Sequence, residues 1–100
     1  MAAEQQGIVL YYSSVAGNVL SEKNTDRARF LLKAAKLPFT EVDVSLGENT
    51  AAKEYMKAHS KAEPKTVLPQ IFLNGEFKCV TAELDEWNEF GELKMNLGAQ

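Results

Sequence analysis

The pattern of apolar and polar positions in the first third of the chain predicts a strand followed by a helix. The run Ile8–Tyr12 is β-branched and aromatic, and turn-forming residues follow it, which indicates a strand buried on both faces. Over residues 20–36, apolar side chains recur at three- and four-residue spacing, as on one face of an amphipathic helix. That face consists of Ala28, Leu31, Leu32 and Ala35. Pro38 prevents the helix from continuing.

The middle of the chain predicts a second strand and a second helix. Residues 39–44 alternate between polar and apolar side chains, with Val42 and Val44 on one face, which is typical of a strand. After a loop, Asn49 or Thr50 is expected to cap the next helix by accepting an unpaired backbone N–H. The apolar stripe of this helix contains Ala52, Tyr55, Met56 and His59.

The final third predicts a hairpin and a last helix. Residues 71–73 form a short apolar strand, and residues 76–80 are placed to pair back with it across Asn74-Gly75. Asn-Gly favours the positive φ angles of a type I′ turn, so this is the strongest local signal in the chain. Thr81 is expected to cap the last helix, whose acidic first turns suit the helix dipole. The side chains expected to face the core are Leu84, Trp87 and Phe90.

The resulting element order is β-α-β-α-β-β-α. The first two strands are joined through a helix and should be parallel with a right-handed crossover, whereas the last two form an antiparallel hairpin. A four-stranded mixed sheet flanked by helices, of the α/β class, fits this order. No linker, low-complexity tract or internal repeat interrupts it. Residues 1–100 are therefore expected to form a single domain, with a core spanning about residues 7–97.

The composition of the 100 residues argues against several classes of function. Lys and Arg number 11 and Asp and Glu number 14, which gives a net charge of −3. Nucleic-acid binding and binding to a membrane surface both need concentrated positive charge, so neither is expected. The longest apolar run has five residues, whereas a membrane-spanning helix needs about 20, and no signal peptide is visible. The expected protein is soluble and cytoplasmic.

The inventory of reactive side chains is short. Cys79 is the only cysteine, so an internal disulfide and a Cys-rich zinc site are excluded. His59 is the only histidine, has no second ligand at useful spacing and is expected at a helix end, so no metal site is predicted. Two interpretations of Cys79 stay open. It is either a small buried residue that ends an edge strand or a redox-sensitive thiol two residues before a helix start.

Several short motifs, taken in order, resemble the glutaredoxins. Residues 65–75 read KTVLPQIFLNG, similar to the glutaredoxin stretch in which Thr-Val-Pro-Gln leads into a strand and an Asn-Gly hairpin. Leu-Pro-Phe at residues 37–39 resembles the same family. A closer resemblance is to the SH3-domain-binding glutamic-acid-rich-like proteins, a glutaredoxin-related branch of the thioredoxin-like superfamily. It rests on YSSVAG at residues 12–17, on Pro-Lys shortly before Pro-Gln-Ile within residues 64–71, and on Asn-Gly before Cys79.

This resemblance implies a thioredoxin-like fold of glutaredoxin type and a fixed position for the catalytic thiol. In that fold, a thiolate at the N-terminus of the first helix attacks a disulfide, because the helix end lowers the pKa of the thiol. Residues 13–23 fill that position here, and none of them is cysteine. A serine hydroxyl without an adjacent base does not replace a thiolate. The chain is therefore not expected to be an enzyme.

The resemblance also implies a ligand cleft. The Leu68–Pro69 bond is expected to be cis, with the N–H and C=O of Leu68 offered to an extended peptide or to glutathione. The start of the last helix would hold a glutathione carboxylate. There, Cys79-Val80 stands where glutaredoxins carry Gly-Gly, and the β-branched Val80 should crowd the ligand. The implied ligand-cleft residues are Ser13, Ser14, Val15, Gly17, Leu68, Pro69, Val80, Thr81 and Glu83.

The expected function is binding without catalysis. A glutaredoxin-like protein that lacks the active-site cysteine would bind a protein segment, or glutathione weakly, beside the cis-proline and would modulate redox or signalling partners. No cofactor other than weakly held glutathione is expected, and the chain is expected to be a monomer with a protein partner of unknown identity. The alternative is a divergent glutaredoxin-type thiol-disulfide oxidoreductase that uses Cys79 with glutathione.

Overall fold

Four strands and four helices make up the part of the chain that this computed structural model describes, residues 7–15 and 19–97. The strands are β1 (Ile8–Tyr12), β2 (Phe39–Asp43), β3 (Gln70–Leu73) and β4 (Glu76–Val80). The helices are α1 (Val19–Ala34), α2 (Thr50–His59), α3 (Thr81–Glu89) and α4 (Leu93–Asn96), and the 3₁₀ turn Gly47–Asn49 precedes α2. None of the described helices is both long enough and apolar enough to cross a lipid bilayer.

The strands form one mixed sheet in the order β2-β1-β3-β4. β1 is parallel to β2 and antiparallel to β3, and β3 is antiparallel to β4. The predicted element order and the four-stranded mixed sheet are confirmed, and the short helix α4 follows α3 after Gly91, where Leu93 and Leu97 indicate a further turn or two. β2 and β4 are the two edges of this sheet.

β1 is apolar at every position because it lies inside the sheet and faces a core on each side. Ile8 and Leu10 belong to the core formed with α1, α3 and α4. Val9 and Tyr11 belong to the core on the α2 side, where the Tyr11 ring meets Phe72 edge-on at 5.0 Å between ring centroids. The predicted strand with two buried faces is confirmed.

The hairpin between β3 and β4 has the predicted Asn-Gly turn. Asn74 and Gly75 have φ angles of 52° and 87°, which suits a type I′ turn. The Tyr55 hydroxyl of α2 donates a 2.7 Å hydrogen bond to the Gly75 carbonyl. The positive φ of Gly75 favours glycine, and a Cβ atom there would lie 2.8 Å from the Tyr55 hydroxyl, so a larger residue would have to displace that hydroxyl.

One extra residue interrupts the pairing of β4 with β3. Phe77 lies opposite Phe72, and Cys79 lies opposite Ile71. Lys78, between them, has no partner on β3 and forms a β-bulge. Regular alternation would place Phe77 and Cys79 on the same face of the strand. Because of the bulge, Phe77 packs on the α2 side, whereas Cys79 lies in the core formed with α1, α3 and α4.

The predicted helix caps are wrong. Thr81 is the first residue of α3 rather than its cap, and its Oγ1 donates a 3.0 Å hydrogen bond to the Asn24 carbonyl of α1. Asn49 occupies the N-cap position of α2, but its side chain makes no capping hydrogen bond, and Thr50 is the first residue of the helix. Their side chains donate instead to carbonyls of preceding residues, Asn49 to Asp43 at 2.9 Å and Thr50 over three residues at 2.7 Å. Several nearby backbone groups can bond to a short polar side chain, and here carbonyls brought close by the turn and by the tertiary fold accept the hydrogen bonds.

Two side chains expected on apolar faces are exposed. Phe90 is 67% exposed rather than in the core, because α3 ends at Glu89 and Phe90 lies beyond its last turn. His59 ends α2 as predicted, but it lies outside the buried stripe and stacks on the Tyr55 ring, with 4.0 Å between ring centroids. Trp87 does pack against the core and is partly buried.

Asp43, at the end of β2, holds the turn that follows β1. Its Oδ1 accepts hydrogen bonds from the Ser14 N–H at 3.2 Å and from the Ser45 N–H and Oγ at 3.0 and 2.6 Å. Burial of the carboxylate raises its pKa, but the hydrogen bonds from Ser14 and Ser45 outweigh that effect and lower the pKa of Asp43 to about 2. The loop that carries the candidate site is thus fixed to the sheet by an ionised group.

We expect Asp43→Asn to remove a pH-dependent part of the stability. The pKa of Asp43 in the folded chain, about 2, lies below the usual aspartate value of 3.8. The carboxylate therefore stabilises the fold fully above pH 3.8, and this stabilisation is lost as the pH falls through about 2. Urea unfolding should show the variant less stable by about 2 kcal/mol near neutral pH, with the difference shrinking in acid. Glu48→Gln, at an exposed position, is the control. A difference that stays constant down to about pH 2 would contradict this assignment.

Candidate functional site

The turn after β1 and the start of α1 carry serines and exposed apolar side chains at the place where the resemblance to glutaredoxins implies the nucleophile. The Ser13 Oγ accepts a 3.3 Å hydrogen bond from the Val15 N–H, and Ser14 is bound to Asp43 as described above. Val15, Val19 and Leu20 are 74%, 68% and 66% exposed, and we call these three side chains the apolar rim. Gly17, another predicted cleft residue, lies outside the described residues.

The Leu68–Pro69 segment lies against the first turns of α1. The peptide bond between the two residues is cis, and Pro69 is fully buried. The Leu68 carbonyl accepts a long, 3.4 Å hydrogen bond from the Ser21 Oγ, so it already has a protein partner. Among the described backbone groups, none from another element accepts a hydrogen bond from the Leu68 N–H. The structure therefore brings Leu68 and the start of α1 together, and it leaves the Leu68 N–H as the main-chain group open to a ligand.

Gln70 positions this segment, and the sequence analysis missed it. Its Nε2 donates to the carbonyls of Lys65 and Val67 at 2.8 and 2.7 Å, which ties the connection before Leu68 to the first residue of β3. The side chain is fully buried, and its Oε1 has no hydrogen-bond partner among the described residues. The sequence does contain a signal for this role: Gln70 is the one amide side chain in an otherwise apolar strand, and it directly follows Pro69.

At the start of α3, the protein's own side chains occupy the groups that a ligand would use. The Val80 N–H donates a 3.1 Å hydrogen bond to the Glu83 Oε1. Thr81 is buried, and its hydroxyl is bound to α1. A glutathione carboxylate needs free N–H groups at such a helix start. Here a carboxylate already fills that place, and the Val80 side chain adds bulk, so these residues do not fit glutathione well.

The predicted cleft residues line two separate cavities. Ser13 and Ser14 border a cavity of about 180 Å³ beside α1, together with Arg29. Val80 and Glu83 border another of about 290 Å³, between β4 and the connection from α2 to β3. The sequence offered no signal for Arg29, whose guanidinium is already paired with Glu41 and Asp26. The structure thus places the expected cleft residues at one end of the sheet without enclosing them in one pocket.

Cys79 lies in the core with none of its surface exposed. Burial, and secondarily the Glu83 carboxylate, raise the pKa of its thiol to about 12, although Lys78 acts in the opposite direction. Burial thus disfavours the thiolate, the form of cysteine that acts as a nucleophile. This position favours the structural interpretation of Cys79 over the redox-sensitive one.

Comparison with known proteins finds a match along the chain. A family model described as Glutaredoxin matches residues 24–78, which run from α1 into β4 and include Leu68 and Pro69. Comparison with curated proteins gives no significant match.

Solved structures with the same fold include actin-interacting proteins and glutaredoxins. "Actin interacting protein 5 (Aip5, wild type)" is 24% identical, with a TM-score of 0.73, and the match covers 94% of this chain and 92% of that chain. The C. albicans actin interacting protein Aip5 is 19% identical, with a TM-score of 0.68 and coverages of 95% and 91%. Glutaredoxin C1 from Populus tremula x tremuloides is 15% identical, with a TM-score of 0.70 and coverages of 96% and 87%. Identities this low show a shared fold.

The family match spans more than half of the chain, and the sheet order and flanking helices agree with the glutaredoxin structures. The chain belongs to the glutaredoxin family.

Proposed function

We propose that this chain is a non-catalytic member of the glutaredoxin family that binds an extended segment of a protein partner. The segment would lie beside Leu68–Pro69 and the apolar rim, where the Leu68 N–H faces a strand-like ligand. Glutathione would bind weakly. The protein would act in the cytoplasm as a modulator of redox or signalling partners, a role taken from the resembled family.

The position of the single cysteine carries this proposal. Thioredoxin-fold catalysis needs an accessible thiolate at the N-terminus of the first helix. The described turn before α1 has serines there, and residues 13–23 contain no cysteine. Cys79, on β4, is buried in the core beside α1 and α3, with a thiol pKa of about 12. Neither group supplies the nucleophile.

Two observations support a protein segment as the ligand. The three side chains of the apolar rim are about two-thirds exposed or more, with Val15 in the turn after β1 and Val19 and Leu20 in the first turn of α1. Exposed apolar side chains are typical of protein-binding surfaces when they form a contiguous patch. Two of the structural neighbours are described as actin-interacting proteins, so the same fold occurs in proteins with protein partners.

We infer further that the chain belongs to the SH3-domain-binding glutamic-acid-rich-like branch. The supporting residues are YSSVAG at 12–17, the Pro-Lys and Pro-Gln-Ile pair within 64–71, and Asn-Gly before Cys79. The branch name implies an SH3 ligand, but Pro64 and Pro69 are five residues apart rather than three, so SH3 binding is not part of the proposal.

The protein-binding proposal predicts that Val15→Asp abolishes binding of a partner segment, whereas Met95→Asp does not. The two side chains are 74% and 70% exposed, so neither substitution should affect folding, but only Val15 lies in the apolar rim. The probe is the best peptide selected from a displayed random library on the wild-type chain. Calorimetry should show at least a tenfold loss of affinity for Val15→Asp, since a buried aspartate in an apolar contact is costly.

Amide NMR shifts caused by the same peptide locate its site. Shifts at Leu68 and along the turn after β1 support the proposal. Equal affinities of the two variants, or failure of the library to yield any binder, would contradict it.

Glutathione provides a second prediction, because Glu83 competes with its carboxylate for the Val80 N–H. We expect Glu83→Ala to strengthen glutathione binding severalfold, as followed by shifts of the Val80 and Thr81 amides. Glu86→Ala removes the same charge from an exposed position on α3 and should have no such effect. Equal glutathione affinities of the two variants would show that Glu83 does not compete with glutathione for the Val80 N–H.

The alternative function, an oxidoreductase that uses Cys79, is tested with glutathione disulfide. In that reaction the Cys79 thiolate would attack one sulfur, form a mixed disulfide and release one glutathione thiolate. We expect no adduct within minutes on the folded chain, because the Cys79 thiol is buried and out of reach of glutathione disulfide. In denaturant the thiol is exposed, and we expect the adduct to form rapidly. A rapid adduct on the folded chain, with turnover lost in Cys79→Ser, would replace the binding proposal by the alternative.

A further inference from the structure

β4 is a free edge of the sheet with main-chain groups that point outward. The type I′ turn at Asn74-Gly75 makes Leu73 and Glu76 the closing hydrogen-bonded pair of the hairpin. Hydrogen-bonded and non-bonded pairs alternate along an antiparallel ladder. The N–H and C=O of the next residue, Phe77, therefore point away from β3.

Within the described ranges, the outward N–H of Phe77 donates no hydrogen bond to a backbone group of another element, and its C=O accepts none. Val80 is the other residue of β4 whose N–H points outward, and this N–H donates a hydrogen bond to the Glu83 carboxylate. Phe77 is thus the position at which the edge remains open. An exposed strand edge with unpaired main-chain groups is a template for a further strand.

The residues on either side of Phe77 carry opposite charges. Glu76 and Lys78 flank Phe77 along β4, and the Glu76 side chain lies on the face opposite that of Phe77, since neighbouring residues alternate along a strand before the bulge. Neither is part of an ion pair in the described part of the chain. If two copies of β4 pair antiparallel with Phe77 opposite Phe77, each Glu76 lies directly across from the other copy's Lys78. The edge is therefore complementary to itself in charge.

The Phe77 side chain suits the same arrangement. It is only partly buried, and its ring meets Phe72 edge-on at 5.8 Å between ring centroids. Two open cavities border it, one toward Val80 and one toward Gly75, and Lys61 lies at both. A second Phe77 opposite the first would bury the exposed part of both rings, and cross-strand aromatic pairs are favourable.

We propose that a second copy of this chain docks on β4, edge to edge and antiparallel, with Phe77 at the two-fold axis. The two four-stranded sheets then form one continuous sheet. The bulge at Lys78 limits the regular ladder to the residues around Phe77, so the association is weak and reversible. This dimer differs from the monomer expected from the sequence and does not depend on the proposed function.

The test is sedimentation velocity over a concentration series at low ionic strength, where charge pairs are least screened. We expect the wild-type mass to rise from one chain toward two. Glu76→Lys alone or Lys78→Glu alone places like charges opposite each other twice per dimer and should weaken association about tenfold. The double variant Glu76→Lys/Lys78→Glu restores both pairs and should associate as the wild type does.

Mixing the two single variants provides the sharpest result. In the mixed dimer, two lysines face two glutamates, so the mixture should associate more strongly than either variant alone. Glu86→Lys, an exposed charge reversal on α3, should leave association unchanged. A wild-type chain that stays monomeric at its solubility limit, or single and double variants that behave alike, would overturn the proposal.

Hydrogen exchange keeps the test decisive if a variant folds poorly. In the wild-type dimer, the Phe77 N–H enters a hydrogen bond across the axis, so its exchange should slow as protein concentration rises. Amides of β2, the opposite edge, should not change. Equal concentration dependence at both edges, or none at Phe77, would place any association elsewhere.

Discussion

Lys78 has no partner on β3, and this one extra residue rotates the end of β4 so that Cys79 joins the core beside α1 and α3. Without the bulge, Cys79 would share the face of Phe77, beside the cavities that flank β4. The bulge therefore places the only thiol of the chain in the packed core. The same bulge also shortens the regular edge of β4 to the residues next to the hairpin, which is how many proteins limit pairing at a strand edge.

The helix starts that could serve a ligand are held by intramolecular partners. Glu83 binds the Val80 N–H, Thr81 binds α1, and Asp43 binds the turn after β1. A helix N-terminus attracts carboxylates because its N–H groups are unpaired. When a side chain three residues along the same helix provides that carboxylate, the site is satisfied at almost no entropic cost. A ligand then has to displace an internal group, which weakens its binding. This arrangement is the physical basis of the weak glutathione binding that we propose.

The elements that could be predicted are those whose signals are local. β1 is apolar throughout because it faces two cores, and Asn74-Gly75 specifies its turn through backbone φ angles alone. The caps at Asn49 and Thr81 could not be predicted, because each side chain chose a carbonyl brought close by tertiary or turn structure. The bulge at Lys78 was missed for the same reason: alternation is the default for a strand, and only the packing of both faces shows where it fails.

The apolar rim and the β4 edge lie on different parts of the sheet, so use of one does not exclude the other. The rim lies at the end of β1 and the start of α1, whereas Phe77 lies on the edge beyond β3. A pair of chains joined through β4 would present two rims in a fixed relation. Two linked sites on a partner with repeated segments bind much more tightly than one, because the second contact forms at high effective concentration. The proposed weak dimer would therefore favour partners that carry such segments more than once.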